Sequence, residues 1–193
     1  FICCLSSLNL AKYDEWKNTD VVEIATYFLD GVMEEFIVKT NGKDSMIRTH
    51  RSAKKGRALG LGVMGWHTFL QQKNIAFNSI GATAWTHTIF SDIQRKAEAA
   101  SRQMALEYGE PLWCKGTGMR NTHLLAIAPT VSNSRINSCS AGIEPQPANI
   151  YVFNGAKGTF IVKNPELEKL LIEKGHNTTR VWDQIMGDNG SVM

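Results

Sequence analysis

A chain of 193 residues that is 43% hydrophobic and 20% charged, with 16 Gly and 5 Pro, has the make-up of a globular protein and excludes disordered, collagen-like and low-complexity classes. With 21 Lys and Arg against 18 Asp and Glu, its net charge of +3 is too mild to specify a nucleic-acid groove or a polybasic membrane surface, so neither partner is expected. Its cysteines, Cys3, Cys4, Cys114 and Cys139, are too few for a disulfide scaffold and lack metal-knuckle spacing, which points to a reducing, cytoplasmic setting and no metal site.

The opening residues, Phe1, Ile2, Cys3, Cys4 and Leu5, are apolar but have no basic segment or initiator Met before them, and read as a chain that starts inside a longer protein. The spacing of Val21, Ile24, Ala25, Phe28, Val32 and Phe36 predicts an amphipathic helix over 20–38, with Asp20 and Glu23 able to form its capping box. A polar stretch follows, in which Arg48, His50, Arg51, Lys54, Lys55 and Arg57 read as a solvated basic face. Residues 57–63 are apolar and glycine-rich and suit a short buried strand leading into a helix over 64–73. The longest apolar run, 58–66, is far below the ~20 residues of a membrane span, so a soluble chain is expected. Gly60, Gly62 and Gly65 match a dinucleotide fingerprint only as letters: no acidic residue lies about 20 residues on, and close backbone packing is the better reading.

Trp85, Ile89, Ile93, Ala97, Ala100 and Met104 keep helical spacing and predict the longest helix over 79–108, stopped by Gly109. Trp113, Gly116 and Gly118 belong to a loop, after which 122–128 reads as a buried strand ending at Pro129. Residues 149–153 and 159–162 predict a β-hairpin about the turn-prone Asn154, Gly155, Ala156, Lys157 and Gly158, and Pro165 opens a helix to Lys174. Strands alternating with helices, without repeats or linkers, indicate one α/β domain.

The segment 128–135 sits where a strand gives way to a helix and is rich in Thr, Ser and Asn. Free backbone N–H groups there, joined by the Thr130, Ser132 and Ser134 hydroxyls, would hold a phosphate. Alternatively the hydroxyls only cap the helix, which the local sequence favours. Cys3 and Cys4, being adjacent, are poorly placed to bond each other, which leaves Cys114 and Cys139 as partners within the chain; taken singly, each cysteine reads as a small buried residue. Glu144, just before Pro145, reads as structural or surface, His123 as a satisfied interior histidine, and the scattered Trp16, Trp66, Trp85, Trp113 and Trp182 as core and boundary residues.

Taken together, Cys3-Cys4-Leu5-Ser6-Ser7-Leu8-Asn9-Leu10, Arg57 to Val63, Arg120-Asn121-Thr122 with Ala128-Pro129-Thr130-x-Ser132-x-Ser134, and Asn137 with Gly142-Ile143-Glu144-Pro145 resemble the large, catalytic subunit of class I ribonucleotide reductase. The resemblance covers the chain to about residue 163 and implies part of that family's ten-stranded α/β barrel: one partial domain over 1–193, incomplete at both ends. It implies thiyl-radical reduction of ribonucleoside diphosphates, with Cys3 as the second of a redox pair. Pro129, Thr130, Val131, Ser132, Asn133 and Ser134 would be the substrate-diphosphate loop, and Glu144 an active-site lining residue.

By the same resemblance the finger-loop cysteine, the first redox cysteine and the ATP and dNTP effector regions precede Phe1, and the radical-path tyrosines and tail cysteines follow Met193. The implied partners are the remainder of the large subunit, a large-subunit dimer, a small subunit with a dimetal/tyrosyl-radical centre, and thioredoxin or glutaredoxin. No cofactor is expected on this chain, which would be inactive and sticky alone. Two other readings remain: a non-catalytic phosphate- or nucleotide-binding module that uses the 129–134 turn, and a glycyl-radical or cobalamin-dependent relative, which the motifs fit less well.

Overall fold

The structure is a computed structural model and describes residues 1–155 and 158–192. Strand β1 (Cys3–Asn9) runs through a short helix α1 (Tyr13–Trp16) into α2 (Val21–Thr40) and α3 (Ile47–Gly56), and then into β2 (Ala58–Met64). Helix α4 (Trp66–Gln72), the long α5 (Ile80–Tyr108) and the one-and-a-half-turn α6 (Val131–Ile136) follow, and β3 (Ile150–Gly155), β4 (Gly158–Lys163), α7 (Pro165–Glu173) and α8 (Thr179–Gly187) complete the chain. β1 and β2 pair in parallel with Cys3 beside Ala58 and Asn9 beside Met64, and β3 pairs antiparallel with β4.

The α/β expectation holds, but no closed barrel is present among the described residues: the sheets have two strands each. The buried strand expected over 122–128 is instead an extended segment joined to β2 by one parallel bridge, Leu61 to Leu125. The cause is a break in register. Leu59 N–H donates to His123 O at 2.8 Å and Leu61 N–H to Leu124 O at 2.8 Å, so β2 advances two residues while its partner advances one. The segment is also not buried on both sides, since Ile127 is 45% exposed and His123 lies at the surface against Phe1, not in the interior.

Glycines let the central strand be approached closely. A Cβ on Gly60 would lie 2.5 Å from Leu5 Cδ2, and one on Gly62 would lie 2.1 Å from the Ala126 carbonyl oxygen. This is the packing role expected of the glycine run. The other face of β2, with Leu59, Leu61 and Val63, packs with Leu29 and Met33 of α2 and Ile89 and Ile93 of α5. Tyr13, Phe69 and Trp85 close one end of this core edge to face, with Trp16 and Trp66 alongside. A smaller core of Ile150, Trp182 and Ile185 holds the hairpin to α8, a helix that the sequence pattern does not announce although Thr178 caps it. The hairpin and α7 lie where expected, while Ala156 and Lys157 of the turn lie outside the described residues.

Helix α2 forms where expected, but rotated. It buries Val22, Thr26, Leu29, Asp30, Met33 and Ile37, leaving Ile24, Val32 and Phe28, which is 66% exposed, on the outside. Asp20 makes no side-chain cap, so the capping box is absent. The rotation brings Asp30, only 5% exposed, against a guanidinium that the sequence placed on a solvated face. Arg48, Arg51 and Lys54 are indeed exposed, but Arg57 turns inward at the left-handed end of α3, with φ 47°.

Arg57 Nε and Nη2 donate to the two Asp30 carboxylate oxygens at 2.8 Å each, and Nη1 donates to Glu34 at 2.6 Å. Arg120 Nε donates to Asp30 at 3.0 Å and Asn121 Nδ2 at 2.8 Å, while Asn121 Oδ1 accepts from Ser101 Oγ of α5 at 2.8 Å. Burial pushes the Asp30 carboxyl up, but the hydrogen bonds and charges of Arg57 and Arg120 outweigh it and hold the carboxyl below the ordinary carboxylate range.

Removing this carboxylate strips Arg120 of its ionic partner and leaves the buried Arg57 with Glu34 alone, whose side chain is half exposed. Asp30→Ala is expected to destabilise the protein by roughly 3–5 kcal/mol, read as a lower urea midpoint. Because the folded value is depressed, this stabilisation is present above the ordinary carboxylate range and is lost as pH falls toward the depressed value. The wild-type midpoint should therefore drop with acid more steeply than that of the variant.

Candidate functional site

Alternation along β1 separates the two adjacent cysteines. Cys3 shares a face with Leu5 and lies across Gly60, where a Cβ would sit 3.1 Å from Cys3 Sγ and 3.0 Å from the Ala126 Cβ. Cys4 points to the opposite face and packs against the main core. All four cysteines are free thiols. Burial raises Cys3, with a further push from Cys4, and burial raises Cys4, with a further push from the Asp30 charge. Cys114 and Cys139 are buried, and burial takes the Cys139 thiol up to about 11.

The segment carrying Ala126 runs straight into Pro129, three extended residues or about 10 Å further on. Ile127 to Val131 line a cleft of about 270 Å3 whose other wall is Ala141, Gly142, Ile143 and Glu144. Glu144 also borders a second hollow with Ser134, Arg135 and Tyr151, of about 230 Å3. The turn and Glu144, twelve or so positions apart in sequence, therefore share one recess. Ser132 and Asn133 are exposed and line neither hollow, and the first-turn amides of α6 have no intrahelical acceptor.

The capping role favoured by the local sequence does not apply to Thr130. Its side chain makes no cap bond and instead accepts from Gly142 N–H at 2.8 Å, tying the turn to the Glu144 loop. Ser134 Oγ is turned inward and donates to Val131 O at 3.3 Å. The loop is held from its other side by α4: Gly65 N–H donates to Ser140 O at 2.8 Å, and Trp66 N–H to Gly142 O at 3.3 Å. Gln146 N–H donates to His67 Nδ1 at 2.9 Å, a bond that needs the unprotonated ring, and burial lowers the His67 pKa accordingly. Sequence reasoning missed His67, Thr68 and Ser140; only the small hydroxyl-bearing run beside Gly142 hinted at them.

Comparison with known proteins places this arrangement. The family model of the ribonucleotide reductase barrel domain matches residues 1–116 and 113–193. The chain belongs to the ribonucleotide reductase barrel-domain family. A solved class Id ribonucleotide reductase alpha subunit from Actinobacillus ureae is 48% identical and superposes with a TM-score of 0.92 over 100% of this chain and 35% of its own.

Among curated relatives, a protein of Frog virus 3 (isolate Goorha), provisionally named a ribonucleoside-diphosphate reductase large subunit, is 40% identical over 99% of this chain and 34% of its own length. The ribonucleoside-diphosphate reductase large subunit of Invertebrate iridescent virus 6 is 37% identical over 99% of this chain and 20% of its own. The chain thus spans about a fifth to a third of the relatives it matches. Among the described residues, no helix is long and apolar enough to cross a membrane.

The opposite faces of β1 give the reductase segment a measurable asymmetry. Timed alkylation with iodoacetamide, read by peptide mass, should label Cys3 ahead of Cys4, which faces the core and the Asp30 charge, with Cys139 last. All rates should climb as pH rises above the ordinary thiol range, since every thiol here is raised.

Proposed function

We propose that this chain supplies a redox thiol and a diphosphate-holding turn to the large subunit of a ribonucleoside-diphosphate reductase. The observation that carries the reading is the placement of Cys3 across Gly60 from Ala126, on the segment that runs directly into Pro129 and the Glu144 recess. A ribose lying beside the exposed Ala126, on the face that Cys3 and Leu5 share, would meet the thiol. Its 5′-diphosphate would extend toward the backbone amides and hydroxyls of 130–134.

In this role Cys3 acts with a second cysteine outside the chain. The C2′–O bond of the ribose breaks and the hydroxyl departs as water. The two thiols give up two electrons and two hydrogens, one completing the water and one forming the new C2′–H bond, and close an S–S bond, which a dithiol such as thioredoxin or glutaredoxin re-reduces by exchange. The thiyl radical that starts the reaction, the small-subunit dimetal/tyrosyl-radical centre and the ATP and dNTP effectors belong, on this reading, to other regions and chains. Among the described residues no group of three or more His, Cys, Asp or Glu is placed to hold a metal ion, and no step here runs through one. The parallel segments β1, β2 and 122–128 would be consecutive staves of a ten-stranded barrel, and a large-subunit dimer with its small subunit the working assembly.

The test uses the complete large subunit with its small subunit and a dithiol, following conversion of CDP to dCDP. Cys3→Ser should lose dithiol-driven turnover while still binding CDP, because the thiol reduces the substrate and the turn holds it. Undiminished turnover by Cys3→Ser would sink the redox assignment. CDP binding by a wild-type assembly that never turns over would favour a nucleotide-binding module.

A further inference from the structure

We propose that Thr68 and Ser140 are positioning residues that lock the Glu144 loop and the Thr130 turn onto the end of the strand pair bearing Cys3. The inference rests on the reductase reading above.

Helix α4 follows β2 after a single residue, Gly65, which is its N-cap and has φ 81°. A side chain cannot serve as the cap there, because a Cβ on Gly65 would lie 3.0 Å from Asn9 Oδ1 and 3.2 Å from the Ala11 nitrogen, on top of the strained φ. The helix start therefore takes its cap from a distant segment. Ser140 Oγ accepts from the N–H of Thr68, the third helical residue, at 3.2 Å, and Thr68 Oγ1 accepts from Ser140 N–H at 2.9 Å. That is the reciprocal pattern of a capping box, assembled between residues 72 positions apart. Thr68 is 1% and Ser140 4% exposed, so water cannot replace either bond.

Two residues beyond Ser140, the Gly142 amide is accepted by Thr130 Oγ1. One line of bonded backbone thus runs from β2, in register with β1 and Cys3, through α4 and Ser140 to the turn that would hold the diphosphate. Helix formation and site geometry are satisfied by the same pair of hydroxyls. Loss of the pair loosens the loop, which the bonds from Gly65 and Trp66 and to His67 still hold, without touching any group that meets substrate.

The experiment compares Thr68→Val, Ser140→Ala and Thr68→Ser with wild type in the complete enzyme. Steady-state CDP reduction is measured together with amide hydrogen exchange at Thr68, Ser140 and Gly142. The first two variants should raise KM for CDP about tenfold, the effect of one or two lost buried hydrogen bonds, with kcat little changed; exchange should accelerate at Ser140 and Gly142 in Thr68→Val, and at Thr68 and Gly142 in Ser140→Ala. Thr68→Ser keeps the acceptor and should restore both readouts. The lock is overturned if Thr68→Val and Ser140→Ala keep wild-type KM and exchange, or if Thr68→Ser is as impaired as Thr68→Val. Where Thr68→Val fails to fold, Ser140→Ala carries the decision. A wild-type enzyme that reduces no CDP overturns the reductase reading instead, and exchange at Ser140 still decides the lock.

Discussion

A single buried carboxylate holds the two crossover helices to the sheet. Asp30 accepts from Arg57 at the entry to β2, from Arg120 and from Asn121, and Asn121 in turn is held by Ser101 in the C-terminal part of α5. The strand pair leans on helices that precede and follow β2 in sequence, and this cluster joins both to the same point. Its charges balance locally, and each Asp30 oxygen has two donors, which is the condition under which burying an ion is tolerable. It also explains why α2 presents Asp30 and Thr26 to the interior and leaves Phe28 outside.

The sheet itself obeys a second constraint, close approach. β2 is flanked on both sides, and at Gly60 and Gly62 its neighbours come nearer than any side chain would allow. The consequence is that Leu5, Ala126 and Cys3 close together over Gly60 on one face, while Cys4, one residue on, is committed to the apolar face. Pleat parity thus gives two adjacent and chemically identical thiols different surroundings.

Beyond the strand ends, order is maintained by polar contacts instead of apolar burial. Gly65, Trp66, His67 and Thr68 all bond to residues of the 140–146 loop, and Thr130 bonds to Gly142. Pro129 and Glu144 can then line one recess although neither has a regular sheet or long helix beneath it.

Local elements and family membership are legible in the order of residues alone. Ser79 and Gly109 bound α5 as periodicity predicts, Pro165 opens α7, and the motif series around Cys3, Gly60, Pro129 and Glu144 identifies the reductase barrel domain because its order and spacing are specific. Which face each element turns inward, and what each polar side chain does, is settled by the folded chain. Helix α2 carries two apolar stripes, and only the partners of Asp30 select between them. Arg57 reads as one more surface cation until its guanidinium finds Asp30 and Glu34. His123 sits in an apolar run yet lies outside, against Phe1, on a segment whose pairing with β2 slips by a residue. Thr130 looks like an ordinary helix-capping hydroxyl and Thr68 and Ser140 draw no notice, and only the approach of distant segments reveals which amides they accept. Periodicity and capping are nearest-neighbour properties and are written in the chain, whereas the pairing of buried polar groups depends on contacts between residues tens of positions apart.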